Sequence, residues 1–184
     1  LIINRNLGAL VLEVKGGDIE YTGTVFHQIN TQTEEVAVLD PKKKKDPLSQ
    51  AIDGAYHYRG VFEKISRATE TRMALDDRFP VEVAVWFPGC EIGEKIKKFP
   101  LAYREAEQAV LDLKSFEEGP QAIYDVFDFY GSREKVDITD YEFNKILEAI
   151  ASDFELITAP AVKKEELDYA FLKLTHEQMG LLDY

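Results

Sequence analysis

The chain has 184 residues, a formal net charge of −12, a pI near 4.7 and an apolar fraction of 45%. That is enough apolar side chain for one domain of ordinary size plus an appendage, but the wrong sign of charge for a free-standing nucleic-acid-binding surface, which draws most of its affinity from Lys and Arg on phosphates. No run of eighteen apolar residues occurs, so no transmembrane helix is expected, and the lone cysteine, Cys90, has no partner for an internal disulfide, which suits a reducing, cytoplasmic setting.

The opening stretch, Leu1 to Gly17, reads as two apolar strands joined by a tight turn. Residues i and i+2 of a strand share a face, so Glu13 and Lys15 are neighbours that interrupt an apolar run. Charge is expensive to bury unless it is paired or bound to a metal. Glu13 can offer a carboxylate to a hard cation such as Mg²⁺ or Mn²⁺, and the Val14 carbonyl a further oxygen. Lys15 can then orient or deprotonate a water, or offset charge on a phosphate, which together make a minimal device for phosphodiester hydrolysis. The competing explanation is an edge strand carrying an ordinary ion pair.

Short strands are expected at Asp18 to Tyr21 and Thr24 to Ile29, around Thr22-Gly23, and at Val36 to Leu39. The run Lys42 to Lys45 is the one strong basic cluster. It reads first as a solvated charge run and second as a contact to a nucleic-acid backbone. Asp46 is a good helix N-cap with Pro47 at the first helical position. The set Leu48, Ala51, Ile52, Ala55, Tyr58, Val61, Phe62 and Ile65 then has helical spacing, carrying the helix to about Ala68. Residues 81 to 87 form an apolar run suited to a buried central strand. Trp86 is expected in the core, Cys90 to be a structural thiol, and His27 and His57 to be ordinary packed or surface residues.

From about residue 114 the texture becomes helical. Ser115 with Glu118, and Thr139 with Glu142, match the capping box, although Gly119-Pro120 interrupts the first and moves that helix start to about Pro120. Phe143, Ile146, Leu147 and Ile150 follow the second start at amphipathic spacing. Thr158 to Ala161 reads as a linker, and Thr175 with Gln178 is a third capping box. No internal repeat is found.

Three segments carry a family resemblance: Leu10-Val-Leu-Glu-Val-Lys-Gly-Gly17 after a hairpin, Asp46-Pro-Leu-Ser-Gln50 opening a helix, and Val81-Glu-Val-Ala-Val-Trp-Phe-Pro88. In this order, over roughly the first hundred residues, the chain resembles the nuclease-related domain (NERD) of the PD-(D/E)xK nuclease superfamily. The resemblance implies a twisted mixed sheet, a divalent-metal site using Glu13, a catalytic Lys15, and Gln50 turned toward that site to hold a water or phosphate oxygen. A plain surface glutamine is the equal alternative for Gln50. The family's second acidic ligand belongs to the start of the preceding strand, but the chain opens at Leu1 already inside it. The absence of an initiator Met and the stop in a helical pattern read as an excerpt of a longer protein. The segment Leu174 to Tyr184 resembles the entry to superfamily 1 DNA helicases, where Gln178 would contact the adenine of ATP. The phosphate-binding loop G-x-x-x-x-G-K-[ST] is absent, so it is expected downstream.

These readings converge on a restriction-endonuclease-like α/β fold, a mixed sheet with flanking helices and a helical C-terminal extension. The expected division is 1–113 for the nuclease-related domain, 114–174 for the helical extension and linker, and 175–184 for entry to a helicase motor. The expected activity is Mg²⁺- or Mn²⁺-dependent DNA cleavage, with ATP used in a downstream domain, in DNA repair or defence. The alternative is a non-catalytic docking or DNA-sensing module that binds a protein partner or regulates a helicase. No membrane partner is expected.

Overall fold

In the computed structural model, residues 1–30, 32–43, 45–68 and 75–151 are described. Strand β1 (Ile2–Asn4) turns back on β2 (Gly8–Val14), with Ile2 opposite Leu10. Gly8 makes this turn possible. Its φ of +100° is a left-handed conformation, and a Cβ there would meet the Pro80 carbonyl oxygen at 2.5 Å. Strand β6 (Val81–Trp86) runs parallel to β2 with Ala9 opposite Val81, and the short β7 (Val110–Leu111) is parallel to β6. The main sheet is thus mixed, in the order β1-β2-β6-β7.

Alternation along β2 sorts the two faces. Ala9 and Val11 join a cluster with Phe62, Leu75, Phe79, Val81 and Ile146, which brings α1 (Pro47–Ala68), α2 (Leu75–Arg78) and α7 (Asp140–Ala151) onto one face. Leu10 and Leu12 point the other way, into a cluster with Ala84, Trp86, Ala122, Val126 and Phe127, so α5 (Pro120–Phe129) covers the second face. Helix α1 starts where the sequence signals it. The Asp46 carboxylate accepts the Ser49 N–H at 2.9 Å, and Pro47 is the first helical residue.

Between β2 and α1 the chain builds a second, antiparallel sheet, β3 (Asp18–Tyr21), β4 (Phe26–Ile29) and β5 (Val36–Leu39), in that order. The middle strand is shorter than expected. Thr24 lies outside it, in a turn closed by Thr22 N–H on the Val25 carbonyl at 3.2 Å. The small sheet packs Phe26 and Leu39 against Val85, Phe87, Ile96, Phe99 and Tyr103, a third cluster at the C-terminal end of the main strands. Its last members come from a 3-10 segment (Gly93–Lys98) and α3 (Leu101–Glu105).

Two capping expectations part ways. Thr139 and Glu142 form a full box: Glu142 accepts Thr139 N–H at 2.8 Å, and Thr139 Oγ1 accepts Glu142 N–H at 3.2 Å. Ser115 is not a cap, because α4 (Leu113–Glu118) begins two residues before it. Asp112 takes that role, accepting Lys114 N–H at 2.9 Å and Ser115 N–H at 3.3 Å. The next helix, α5, does start at Pro120; the four-residue α6 (Ser132–Lys135) follows it. Among the described residues no helix is long and apolar enough to cross a membrane.

Candidate functional site

Glu13 and Lys15 stand on one face at the C-terminal end of β2, and Lys15 Nζ lies 2.6 Å from Glu13 Oε1. Strand β2 lies between β1 and β6, but β1 pairs only with Gly8 to Leu10, so among the described residues Glu13 is flanked on the β6 side, opposite Val85. The two side chains are 28% and 16% exposed, so they sit at the mouth of the sheet rather than in its core. The Lys15 N–H donates to the Trp86 carbonyl at 2.9 Å, extending the β2–β6 ladder past Val14 and fixing the lysine backbone. Trp86 is itself buried and fixed by Nε1–H to the Asp112 carbonyl at 3.0 Å, a core role as expected.

Gln50 lies in the first turn of α1. A helix that joins two parallel neighbours runs back antiparallel to them, so the start of α1 lies over the C-terminal strand ends. Gly54 fixes the register, because a Cβ there would meet Val11 Cγ1 at 3.0 Å. One turn back along the helix is Gln50, about 6 Å away at 1.5 Å per residue. Two residues onward along the strand is Glu13, about 6–7 Å away at roughly 3.3 Å per residue. Gln50 thus lies one turn before the Gly54–Val11 contact, toward the end of α1 nearer the C-terminal strand ends. The Gln50 Oε1 atom is buried and has no hydrogen-bond partner among the described residues, which is unusual for a buried amide oxygen.

The start of α1 is held by a pair that sequence reasoning did not find. Tyr103 in α3 donates its hydroxyl to Asp46 Oδ1 at 2.9 Å and accepts the Leu48 N–H at 3.0 Å. Asp46 Oδ2 accepts both the Ser49 N–H and its hydroxyl at 2.9 Å. Both residues are buried. Burial pushes the Tyr103 hydroxyl far above the ordinary tyrosine range, the Asp46 charge adds to this, and Glu13 contributes a smaller push. The hydroxyl therefore stays a donor, and the Glu13 charge is within electrostatic reach of it. Nothing local in the sequence around Tyr103 signals this role; only the tertiary packing brings it to Asp46.

Cys90 anchors the segment after Lys15. Its sulfur accepts the Ile19 N–H at 3.0 Å and lies 3.6 Å from the Gly17 carbonyl. Burial pushes the thiol up, so it stays protonated and structural. An open cleft of about 790 Å³ lies alongside, lined by Gly16, Gly17, Gln28, Asn30 and Gln32, but it includes none of Glu13, Lys15 or Gln50. His57 is exposed and His27 half-buried.

Among the described residues no three His, Cys, Asp or Glu side chains are grouped to hold a metal. Both Asp46 oxygens are already engaged. What the site offers is one accessible carboxylate and one orphaned buried amide oxygen, hard donors of the kind Mg²⁺ and Mn²⁺ prefer. Gln178, the Thr158 to Ala161 linker and the whole of 175–184 lie outside the described residues. No family model matches the chain, and neither a curated protein nor a solved structure matches it.

Proposed function

We propose that this chain is a metal-dependent DNA nuclease module with a restriction-endonuclease-like fold, related to the nuclease-related domain that its Glu13-x-Lys15 segment resembles. What supports the reading is the Glu13–Lys15 pair at the C-terminal end of β2 together with the buried, unpartnered Gln50 oxygen in the first turn of α1, a helix that packs on β2. A buried amide acceptor left without a protein partner is what a site for a cation or water would use.

Glu13, the Val14 carbonyl and Gln50 would hold the cation, which would supply Lewis acidity and a more acidic bound water. Glu13 orients and binds through its carboxylate. Gln50 fixes a water or a phosphate oxygen from above. Lys15, now paired with Glu13, turns its ammonium toward the phosphate and offsets charge that builds during hydrolysis. An acidic residue before Leu1 would complete the set. The β1–β2 register, with Ile2 opposite Leu10, would put a residue two places before Leu1 opposite Glu13. A helicase motor that uses ATP, with Gln178 contacting the adenine, belongs to the same proposal.

The test is nicking of supercoiled plasmid in Mn²⁺. Glu13→Gln keeps the shape and removes the charge, so nicking is expected to fall to background with circular dichroism unchanged. Lys15→Ala is expected to bind metal as before but to cleave on the order of 10²-fold more slowly. Equal cleavage by Glu13→Gln removes Glu13 from the mechanism. One observation favours the non-catalytic alternative, a docking or DNA-sensing module. Among the described residues no three His, Cys, Asp or Glu side chains are grouped to hold a metal, and the Glu13 carboxylate is tied to Lys15.

A further inference from the structure

The small sheet has two edges, and among the described residues only one of them is occupied. Hydrogen bonds alternate along an antiparallel pair, and this decides which backbone groups face outward. Thr22 N–H donates to the Val25 carbonyl at 3.2 Å, so the N–H and C=O groups of Ile19 in β3 point away from β4. There the Ile19 N–H meets the Cys90 sulfur at 3.0 Å. The β3 edge is thus closed by the segment that follows β6.

The β5 edge is open. Asn30 N–H donates to the Glu35 carbonyl at 2.9 Å, so Ala37 and Leu39 turn their N–H and C=O groups toward β4. Val36 and Val38 turn theirs outward. Residues 32–38 are all exposed, and the Val36 and Val38 side chains, on one face of β5, are 56% and 48% exposed. Unpaired backbone beside exposed β-branched side chains is a template for another strand. Charge flanks this edge with opposite signs. Glu34 and Glu35 precede it. Lys42, Lys43 and Lys45 follow it, exposed and in no ion pair among the described residues. Asp40 lies between, but its carboxylate accepts the Lys42 N–H at 2.9 Å, at the start of the 3-10 turn Pro41–Lys43. A strand with this pattern complements itself when run antiparallel, because each acidic end comes to the other copy's basic end.

We propose that β5 pairs antiparallel with β5 of a second copy, about a two-fold axis at Ala37, joining two three-stranded sheets into one. Val36 of each copy then forms a hydrogen-bonded pair with Val38 of the other, and the four valines abut on one face. The strand is four residues long and Pro41 follows close behind it, so the pairing cannot lengthen. With the β3 edge closed, association stops at the dimer. An interface this short belongs to the weak class. The inference does not depend on the nuclease reading.

The experiment is sedimentation equilibrium of the 184-residue chain from low-micromolar to submillimolar concentration. The parent is expected to grow reversibly from the 21.0 kDa monomer toward twice that mass. Val38→Pro removes an outward N–H and no β4–β5 bond, and is expected to stay monomeric with unchanged circular dichroism. Glu34→Lys/Glu35→Lys and Lys42→Glu/Lys43→Glu are each expected to be monomeric, because like charges then meet at both ends of the strand pair. Their equimolar mixture is expected to dimerise, since opposite charges face each other again. Each double variant reverses two charges from a starting net of −12, so both proteins stay acidic and general attraction does not drive the mixing. A parent that stays monomeric throughout, as it would if another segment of this chain covered the edge, overturns the proposal. So do a Val38→Pro protein or charge variants that associate like the parent, and a mixture of the charge variants that stays monomeric.

Discussion

Removing the Tyr103 hydroxyl while keeping its ring separates two roles of one residue. The ring packs with Phe26 and Phe99, at centroid distances of 5.0 and 5.9 Å, and survives in Tyr103→Phe. The lost hydroxyl leaves Asp46 Oδ1 and the Leu48 N–H buried and one partner short. Leaving such groups unsatisfied costs about 1–3 kcal/mol. Urea denaturation is expected to show a loss of that size with an unchanged m-value; a loss under about 0.5 kcal/mol would mean that water replaces the hydroxyl. Sequence reasoning reached half of this arrangement. Asp46 was legible as a cap because Pro47 and an apolar helical pattern follow it. Its second partner was not, since Tyr103 comes from a segment with no local signal that ties it to the start of α1. Glu13 and Lys15 were legible for the opposite reason, because strand alternation alone makes them neighbours.

At the scale of elements, the start of α7 joins a capping box to a largely buried ion pair. Glu142 receives Thr139 N–H and hydroxyl bonds and a hydrogen-bonded Arg78 guanidinium at 2.5 Å, with its side chain 6% exposed. The Arg78 bond, ahead of the Thr139 contributions and against a burial cost, brings its pKa down to about 2 from 4.5. A carboxylate whose folded pKa is depressed stabilises the fold above its unfolded pKa and loses that contribution as pH falls through the folded value. The window is therefore from about pH 4.5 down to about 2. At about 1.4 kcal/mol per pH unit the upper limit is near 3 kcal/mol. Glu142→Gln is expected to be less stable than the parent at neutral pH, with the gap between their urea midpoints narrowing below pH 4.5. A gap constant down to pH 3 would show that the ion pair contributes nothing by titration. This capping box was readable from Thr139 and Glu142 three apart; the Ser115–Glu118 spacing misled because Asp112 starts the helix earlier. The partner Arg78 could not be foreseen, since α2 and α7 meet only across the sheet face.

For the molecule as a whole, a net charge of −12 makes self-repulsion a measurable term. The surface ion pairs, such as Arg67–Glu63 and Lys145–Glu148, are individually weak. Raising ionic strength toward 0.15 M, where the Debye length is about 8 Å, is therefore expected to raise the melting temperature in differential scanning fluorimetry. A fall with salt would mean that attractive pairs outweigh net repulsion. The division into two sheets was the least legible feature at this scale. Each strand of the small sheet was foreseen, but strand patterns do not say which neighbours pair, and β3, β4 and β5 pair only with each other.

That topology also orders the events of folding. The meander β3–β4–β5 and helix α1 are built from contacts near in sequence, whereas β2 finds β6 only across all of them, with Ala9 meeting Val81. Loop closure over that span must precede the parallel pairing. Lys15 is tied to Trp86 by that pairing, and Gln50 comes to the sheet only with the docking of α1 on β2. The surroundings of Glu13 and Lys15 thus depend on pairings between segments distant in sequence, unlike the meander. A variant that slows the docking of α1 on β2, such as Gly54→Ala against the tight Val11 contact, delays the site while leaving the meander to form at its own pace.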